Sequence, residues 1–311
     1  MAKSKNTIKP YECLVSVDGS PMVCYGPTLK SKTSDSQMGF GDDEGLTGTQ
    51  FPTKTRRRHG RDDVSGMLPF KPTPAEASTL LQTFFTGASD TGAGDWTGFT
   101  KHPLTEALHV NFDDDEPAGT FTVLKDMSAQ GYTYEKCVTE QLTLRWEENG
   151  SLELDLEILG WKETAGAVTI GAADADTPLM AYDLTAKLGG SEYFVKGGEI
   201  VLARNFTSRF HNSKWRSSVS PGKFTGTIRL DIDWNSDTVT DLYAQCGTNT
   251  ALAFALIIDT GTDALGLDIP ETVVTSDLPD LPGEGDWTPS LELAASYDGT
   301  NDIAAAYVNL A

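Results

Sequence analysis

The sequence predicts a mainly β chain folded as two tandem copies of one unit, each with a single short helix. Three observations predict this. Apolar and polar residues alternate in many short runs, helical periodicity is confined to two stretches, and those two stretches sit in matching contexts 160 residues apart.

The clearest strand is GSLELDLEILG, residues 150–160. Leu152, Leu154, Leu156 and Ile158 alternate with Glu153, Asp155 and Glu157. A period of two places the aliphatic side chains on one face and the three carboxylates on the other. No base in that strand offsets them, and the preceding run QLTLRWEENG supplies only Arg145. RLDIDW (229–234) repeats the theme, with Asp231 and Asp233 alternating with Leu230 and Ile232. Outer faces of antiparallel sheets are ordinarily polar, but they mix signs because like charges opposite one another are destabilising. The two acidic strands therefore read either as coincidence or as an oriented negative surface. Further alternating runs occupy 121–125, 141–147, 199–204, 224–234, 251–258, 291–296 and 303–310.

Near the start, YECLVSVDGSPMVCY carries Asp18-Gly19, a two-residue hairpin turn that pairs 17 with 20 and hence 13 with 24. Counting outward makes 13:24 a wide, hydrogen-bonded pair. That spacing permits a disulfide between Cys13 and Cys24 without favouring it, so packed thiols are expected. The first helix is TPAEASTLLQTFF (73–85): Pro74 suits the first turn, Glu76 suits the positive end of the dipole, and Gly87 ends it. The second is NSDTVTDLYAQ (235–245), capped by Asn235 or Ser236 and stopped by Gly247.

The contexts of these helices carry the duplication. DVSGMLPFKPTPAEASTLLQTFFTG and KFTGTIRLDIDWNSDTVTDLYAQCG each open a strand with a Ser/Thr-Gly pair, break, and end a helix in glycine. Gly66 and Gly87 lie 160 residues before Gly226 and Gly247. Downstream, EQLTLRWEENGSLELDLEILG resembles PSLELAASYDGTNDIAAAYVNL at an offset of 149, as from Leu142 to Leu291. A glycine-rich insertion after the first helix accounts for the change. The first copy is placed at 1–165, a linker at 166–174 in a run of small residues, and the second copy at 175–311. The first copy holds the N-terminal hairpin and a long irregular segment, 31–63, rich in Gly, Asp, Ser and Thr. At 311 residues the chain can bury one large core or two of ordinary size.

Acidic residues outnumber basic ones 45 to 24, a net charge of −21, which argues against a surface that grips nucleic acid or anionic membrane. The opening MAKSKNTIKPYE lacks the apolar core of a secretion signal, and the four cysteines form no CxxC pair, so a cytosolic origin is expected. His59, His102, His109 and His211 fit no catalytic motif. The DDDE run at 113–116 reads as a solvated turn rather than a cation site, and nothing aligns it with Tyr132, Tyr134 or His211 as an enzyme site. No catalytic, cofactor or metal residues are expected. RRRHGR (56–61) stands out. Arg56, Arg57, Arg58 and Arg61 could meet phosphate, lie in a solvated loop, or plug the acidic surface of another copy, and the last is preferred.

FTGTIRLDIDW through DLYAQCGTN, then ALAFALII, the proline-rich DLPDLPGEGDW and the closing SLELAASYDGTNDIAAAYVNL resemble the tail tube proteins of long-tailed bacteriophages. KGGEIVLARNFTSRFHN (196–212) is similar to that family's entry hairpin, and VSGMLPFKPTPAEASTLLQTFFTG with TEQLTLRWEENGSLELDLEILG resembles the same fold again. The resemblance covers most of 60–311. It implies two tandem β-sandwich or half-barrel domains, each flanked by a helix, with a long hairpin or loop reaching a neighbour. It further implies rings with an inner β-barrel that stack into a hollow tube. A duplicated chain resembles members whose homotrimers imitate a hexamer. The implied role is a structural protein of a siphophage virion tail, not an enzyme. It would be assembled in the host cytoplasm from copies of itself, with tape measure, tail terminator and baseplate proteins as partners. Double-stranded DNA would pass through at ejection without specific binding.

On that resemblance Glu153, Asp155 and Glu157, then Asp231 and Asp233, are expected to face the lumen. Carboxylates there supply no phosphate contacts and repel over roughly a Debye length, ~8 Å. Arg56, Arg57, Arg58 and Arg61 are expected to contact the next ring. Another ring component on the same fold, a tail terminator or baseplate hub, is the alternative.

Overall fold

A computed structural model describes residues 12–36, 58–104, 109–115, 117–126, 130–211, 213–232, 248, 250–276, 290–297 and 302–310. Strand accounts for 57% with one α-helix among the described residues, so the chain is mainly β. The first half contains β1 (Glu12–Val17), β2 (Ser20–Tyr25), β3 (Lys30–Ser36), β4 (Arg58–Phe70), α1 (Pro74–Phe84) and β5 (Asp90–Thr91). It continues through β6 (Thr100–Pro103), β7 (Val110–Asn111), β8 (Phe121–Asp126), β9 (Gly131–Trp146), β10 (Glu153–Gly160) and β11 (Lys162–Gly166). The second half contains β12 (Leu184–Leu188), β13 (Ser191–Tyr193), β14 (Val195–Ala203), β15 (Thr207–Arg209) and β16 (Ser218–Ser220). After these come β17 (Thr225–Ile232), β18 (Ala251–Asp259), β19 (Ala264–Val274), β20 (Ser290–Ala295) and β21 (Ala305–Asn309).

The Asp18-Gly19 turn pairs Val17 with Ser20 and Cys13 with Cys24, the expected register. Both residues take positive φ, 49° and 86°, as a two-residue hairpin turn requires. Cys13 and Cys24 are buried free thiols. A hydrogen bond with Cys24 pulls the Cys13 thiol below its usual range, while burial pushes Cys24 above it. Helix α1 begins in a capping box: Glu76 N–H donates to Thr73 Oγ1, and Thr73 N–H donates to the Glu76 carboxylate. It buries Ala77, Leu80, Leu81 and Phe84 against the sheet. The second expected helix, 235–245, lies outside the described residues.

Strands β1, β2, β4, β10, β9 and β8 pair in that order, and β8 returns to β1, closing a six-stranded barrel. Closure leaves those strands no free edge. The ends of segment 31–63 are not irregular. Strands β3 and β4 pair from Lys30↔Ser65 to Ser36↔Arg58, so the segment is a long hairpin whose tip, 37–57, lies outside the described residues. Polar residues on both faces of β3 hid its strand period.

The pairing order recurs. The first half pairs β3 with β4, β4 with β10, β10 with β9, β9 with β8, β8 with β1 and β1 with β2. The second half pairs β14 with β17, β17 with β20, β20 with β19, β19 with β18, β18 with β12 and β12 with β13. A seam joins the halves: β9 pairs with β14 from Gln141↔Ala203 to Trp146↔Gly198. The central sheet therefore runs β3–β4–β10–β9–β14–β17–β20–β19, and one connected apolar core extends through both halves beneath it.

Candidate functional site

The apolar face of the central sheet is core: Leu142, Leu144, Leu154, Leu156, Ile158, Ile200, Leu202, Ile228, Leu230 and Leu293 are all buried. The opposite face is the candidate site. Residues directly opposite across antiparallel strands share a face, so the register defines its rows. One row reads Lys71, Glu153, Arg145, Glu199, Arg229, Glu292, alternating in sign across five strands and Lys71, the residue just past β4. Lys71 Nζ lies 3.3 Å from Glu153 Oε1, and Arg145 Nε lies 3.6 Å from Glu199 Oε1. Arg145 Nη2 also pairs with Asp155, and Arg229 Nε lies 3.9 Å from Asp231 Oδ1 while donating to Ser290 Oγ at 2.7 Å. A shallow cleft of about 510 Å³ opens over Lys71, Glu153, Arg145, Glu199, Arg229 and Asp231. Trp146 forms part of its wall, packed so closely on Gly198 that a Cβ there would stand 2.4 Å from the ring.

This arrangement corrects the expectation of an unopposed acidic strand. Glu153 and Asp155 each face a base, Asp155 is buried at 5% exposure beneath Arg145, and Glu157 is the exposed one of the three. Asp231 is half-buried beside Arg229. Period two had already placed Arg229 on the face of Asp231, a signal present in RLDIDW. Lys71 gave no such signal, because only the β4–β10 register sets it beside Glu153. The nine charged residues at the centre of the face, six carboxylates (Glu153, Asp155, Glu157, Glu199, Asp231, Glu292) and three bases (Lys71, Arg145, Arg229), sum to −3. Asp233 lies outside the described residues.

Of the arginine run, Arg56 and Arg57 lie outside the described residues, and Arg58 and Arg61 stand in β4 within the β3–β4 hairpin. The turn at Asp113, Asp114 and Asp115 is exposed. Lys136 Nζ donates to the Phe112 and Asp114 carbonyl oxygens and so ties this turn to β9. Lys136 itself sits at φ 51°, between the β9 residues that pair with β11 and those that pair with β10.

Sequence reasoning missed two buried arginines in the excursion that runs from the end of β14 to β17. Arg204 is 4% exposed and donates through Nη2 to the Phe84 carbonyl and Thr86 Oγ1. Burial lowers its pKa to about 10. Arg216 is 1% exposed, and its Nη1 donates to the carbonyls of Val64 (3.0 Å) and Gly160 (2.8 Å), the last registered pair of the β4–β10 ladder. Its Nη2 pairs with Asp63, and Lys214 Nζ lies 2.6 Å from Asp62. Strand β16 in the same excursion pairs with β7, and Val219 packs with Val110, Phe112, Val138 and Leu159. The second half thus grips the first through buried cations that hydropathy patterns do not reveal.

Residues 19–301 match a protein family described as phage tail tube protein. No curated protein matches the chain.

Proposed function

The chain belongs to the phage tail tube protein family, a structural rather than enzymatic component of the virion tail that self-assembles into a tube, and on that premise we propose how it builds the wall. The chain is a tandem repeat whose two copies are consecutive segments of a ring. One observation carries this reading: β9 and β14 are joined by backbone pairing between two sets of four strands arranged in the same order. The seam is heterologous, joining the last strand of one set to the first of the next. Such head-to-tail contacts generate rings when the rotation closes. The same step between chains would join β19 of one to β3 of the next. The pairing order equates β9 with β19 and β10 with β20, one strand out of step with the sequence offset of 149.

Eight strands per chain and three chains make a 24-stranded inner barrel. At roughly 4.8 Å spacing and ~40° tilt its backbone wall is about 48 Å across, against about 32 Å for two chains. The wider wall leaves room for a DNA duplex with side chains in place. The charged face lines this bore. Its character is subtler than bare repulsion: the nine central residues are net negative, and Lys71, Arg145 and Arg229 each already have a carboxylate within 4 Å. A phosphate must displace that carboxylate to gain a contact, so DNA slides without release of its counterions. Stacked rings form the tube, with terminator, tape measure and baseplate proteins at its ends and interior.

Electron microscopy and native mass spectrometry of the purified chain test this. Rings with three chains, stacking into hollow tubes, are expected. Rings that never stack would favour a terminator or hub role, and a monomer under all conditions would overturn the ring.

A further inference from the structure

Resting on the tandem-ring reading, we infer that Glu163 latches the β3 edge of the free chain, holding the place that a second copy of this chain takes when the ring closes. The repeat identifies the edge. Ser65-Gly66 in β4 and Thr225-Gly226 in β17 are counterparts, and Ser65 pairs with Lys30 as Thr225 pairs with Ala203. Leu29 therefore answers to Leu202, and Ser31 to Arg204. In the second half these two positions make the seam. Leu202 pairs with Leu142, and the Arg204 amide donates to the Glu140 carbonyl oxygen at 2.9 Å, both partners lying on β9.

In the first half the same backbone groups are held by side chains of the chain itself. Thr28 N–H donates to the Met67 carbonyl oxygen, so Thr28 and Lys30 turn toward β4 while Leu29 and Ser31 turn to the outer edge. There the Leu29 carbonyl oxygen accepts from Lys125 Nζ and the Tyr134 hydroxyl, each at 3.0 Å. The Ser31 amide donates to Glu163 Oε2 at 2.9 Å. A carboxylate oxygen thus stands where the seam has a backbone carbonyl.

The two caps differ in how they can yield. Lys125 and Tyr134 are buried in the barrel, so they fix Leu29. Glu163 is half-buried on β11, a strand that ends in three exposed residues, so its side chain can swing out to water without disturbing the core. An edge with bare amides pairs with whatever strand it meets. Exchanging the carboxylate for an incoming carbonyl leaves the number of hydrogen bonds at Ser31 unchanged, so this step alone does not draw two chains together. The latch therefore opens only when the rest of the contact between chains forms with it.

Two variants test this. Glu163→Ala removes the latch, and Glu163→Gln keeps an acceptor oxygen at the same reach. On dilution in native mass spectrometry, Glu163→Ala is expected to lower the ring dissociation constant roughly tenfold per contact between chains, the scale of one hydrogen bond to a charged group. Glu163→Gln should stay nearer the unmodified chain. Hydrogen exchange at the Ser31 amide reads the site directly: slow in the unmodified free chain, fast in the free Glu163→Ala chain, and slow again in rings of either. Rings of Glu163→Ala that are no tighter, or in which the Ser31 amide still exchanges fast, would overturn the latch and leave the ring reading standing. Rings from Glu163→Ala but not from the unmodified chain would support it. Failure of all three chains to form rings would overturn both.

Discussion

Asp155 shows what a single residue of the charged face is worth. It is nearly buried, while Arg145, which satisfies it, is 44% exposed at the side chain. Arg145→Met leaves a carboxylate with little access to water, and a cost of about 1–3 kcal/mol in urea unfolding is expected. Arg145→Met combined with Asp155→Leu should recover most of it, because no buried charge is then left unpaired and Glu199, the other partner of Arg145, is exposed enough to be solvated. A loss below a few tenths of a kcal/mol in the single variant would mean that water already satisfies Asp155. The sequence made Glu153, Asp155 and Glu157 visible as one face, because a period of two needs no tertiary information. It could not show that Lys71 and Arg229 interleave with them from other strands, which only the register decides.

At the scale of elements, the hairpin at Asp18-Gly19, the capped helix α1 and most strands were legible, because local turn chemistry and alternation determine them. Strand β3 was hidden by its polar residues and β19 by Pro270. That proline sits where the β18–β19 register slips between Leu252 and Phe254, a bulge that tolerates it. The β9–β14 seam had no sequence signal except Gly198, whose missing side chain lets Trp146 close over it. A Cβ at 198 would lie 2.4 Å from Trp146 Cζ2 and 2.9 Å from the Arg229 carbonyl oxygen. Gly198→Val should therefore pry β14 from β9 and cost about 1–3 kcal/mol in thermal unfolding, with Gly198→Ala intermediate. An unchanged melting temperature would show that the seam tolerates the bulk and contributes little.

For the whole molecule the governing quantity is the charge of the face per chain. Replacing Glu153, Glu157 and Glu199 with Lys shifts the sum of its nine central charged residues from −3 to +3 while sparing the buried Asp155. Assembled tubes of that variant should retain duplex DNA, with a steep loss of retention as salt rises, and unmodified tubes should retain none at the same ionic strength. Equal retention by both would remove the face from the bore. In the tandem repeat we propose, strand pairing equates β9 with β19, whereas similarity along the chain equates β9 with β20.

Strand β9 is shared between the six-stranded barrel and the seam, and this has a bearing on synthesis. Residues 131–146 leave the ribosome well before 195–203, so the barrel can close around the nascent first half while positions 141–146 still present an unpaired backbone edge. Until β14 emerges to cover it, that edge is the place where the growing chain is most open to the wrong neighbour.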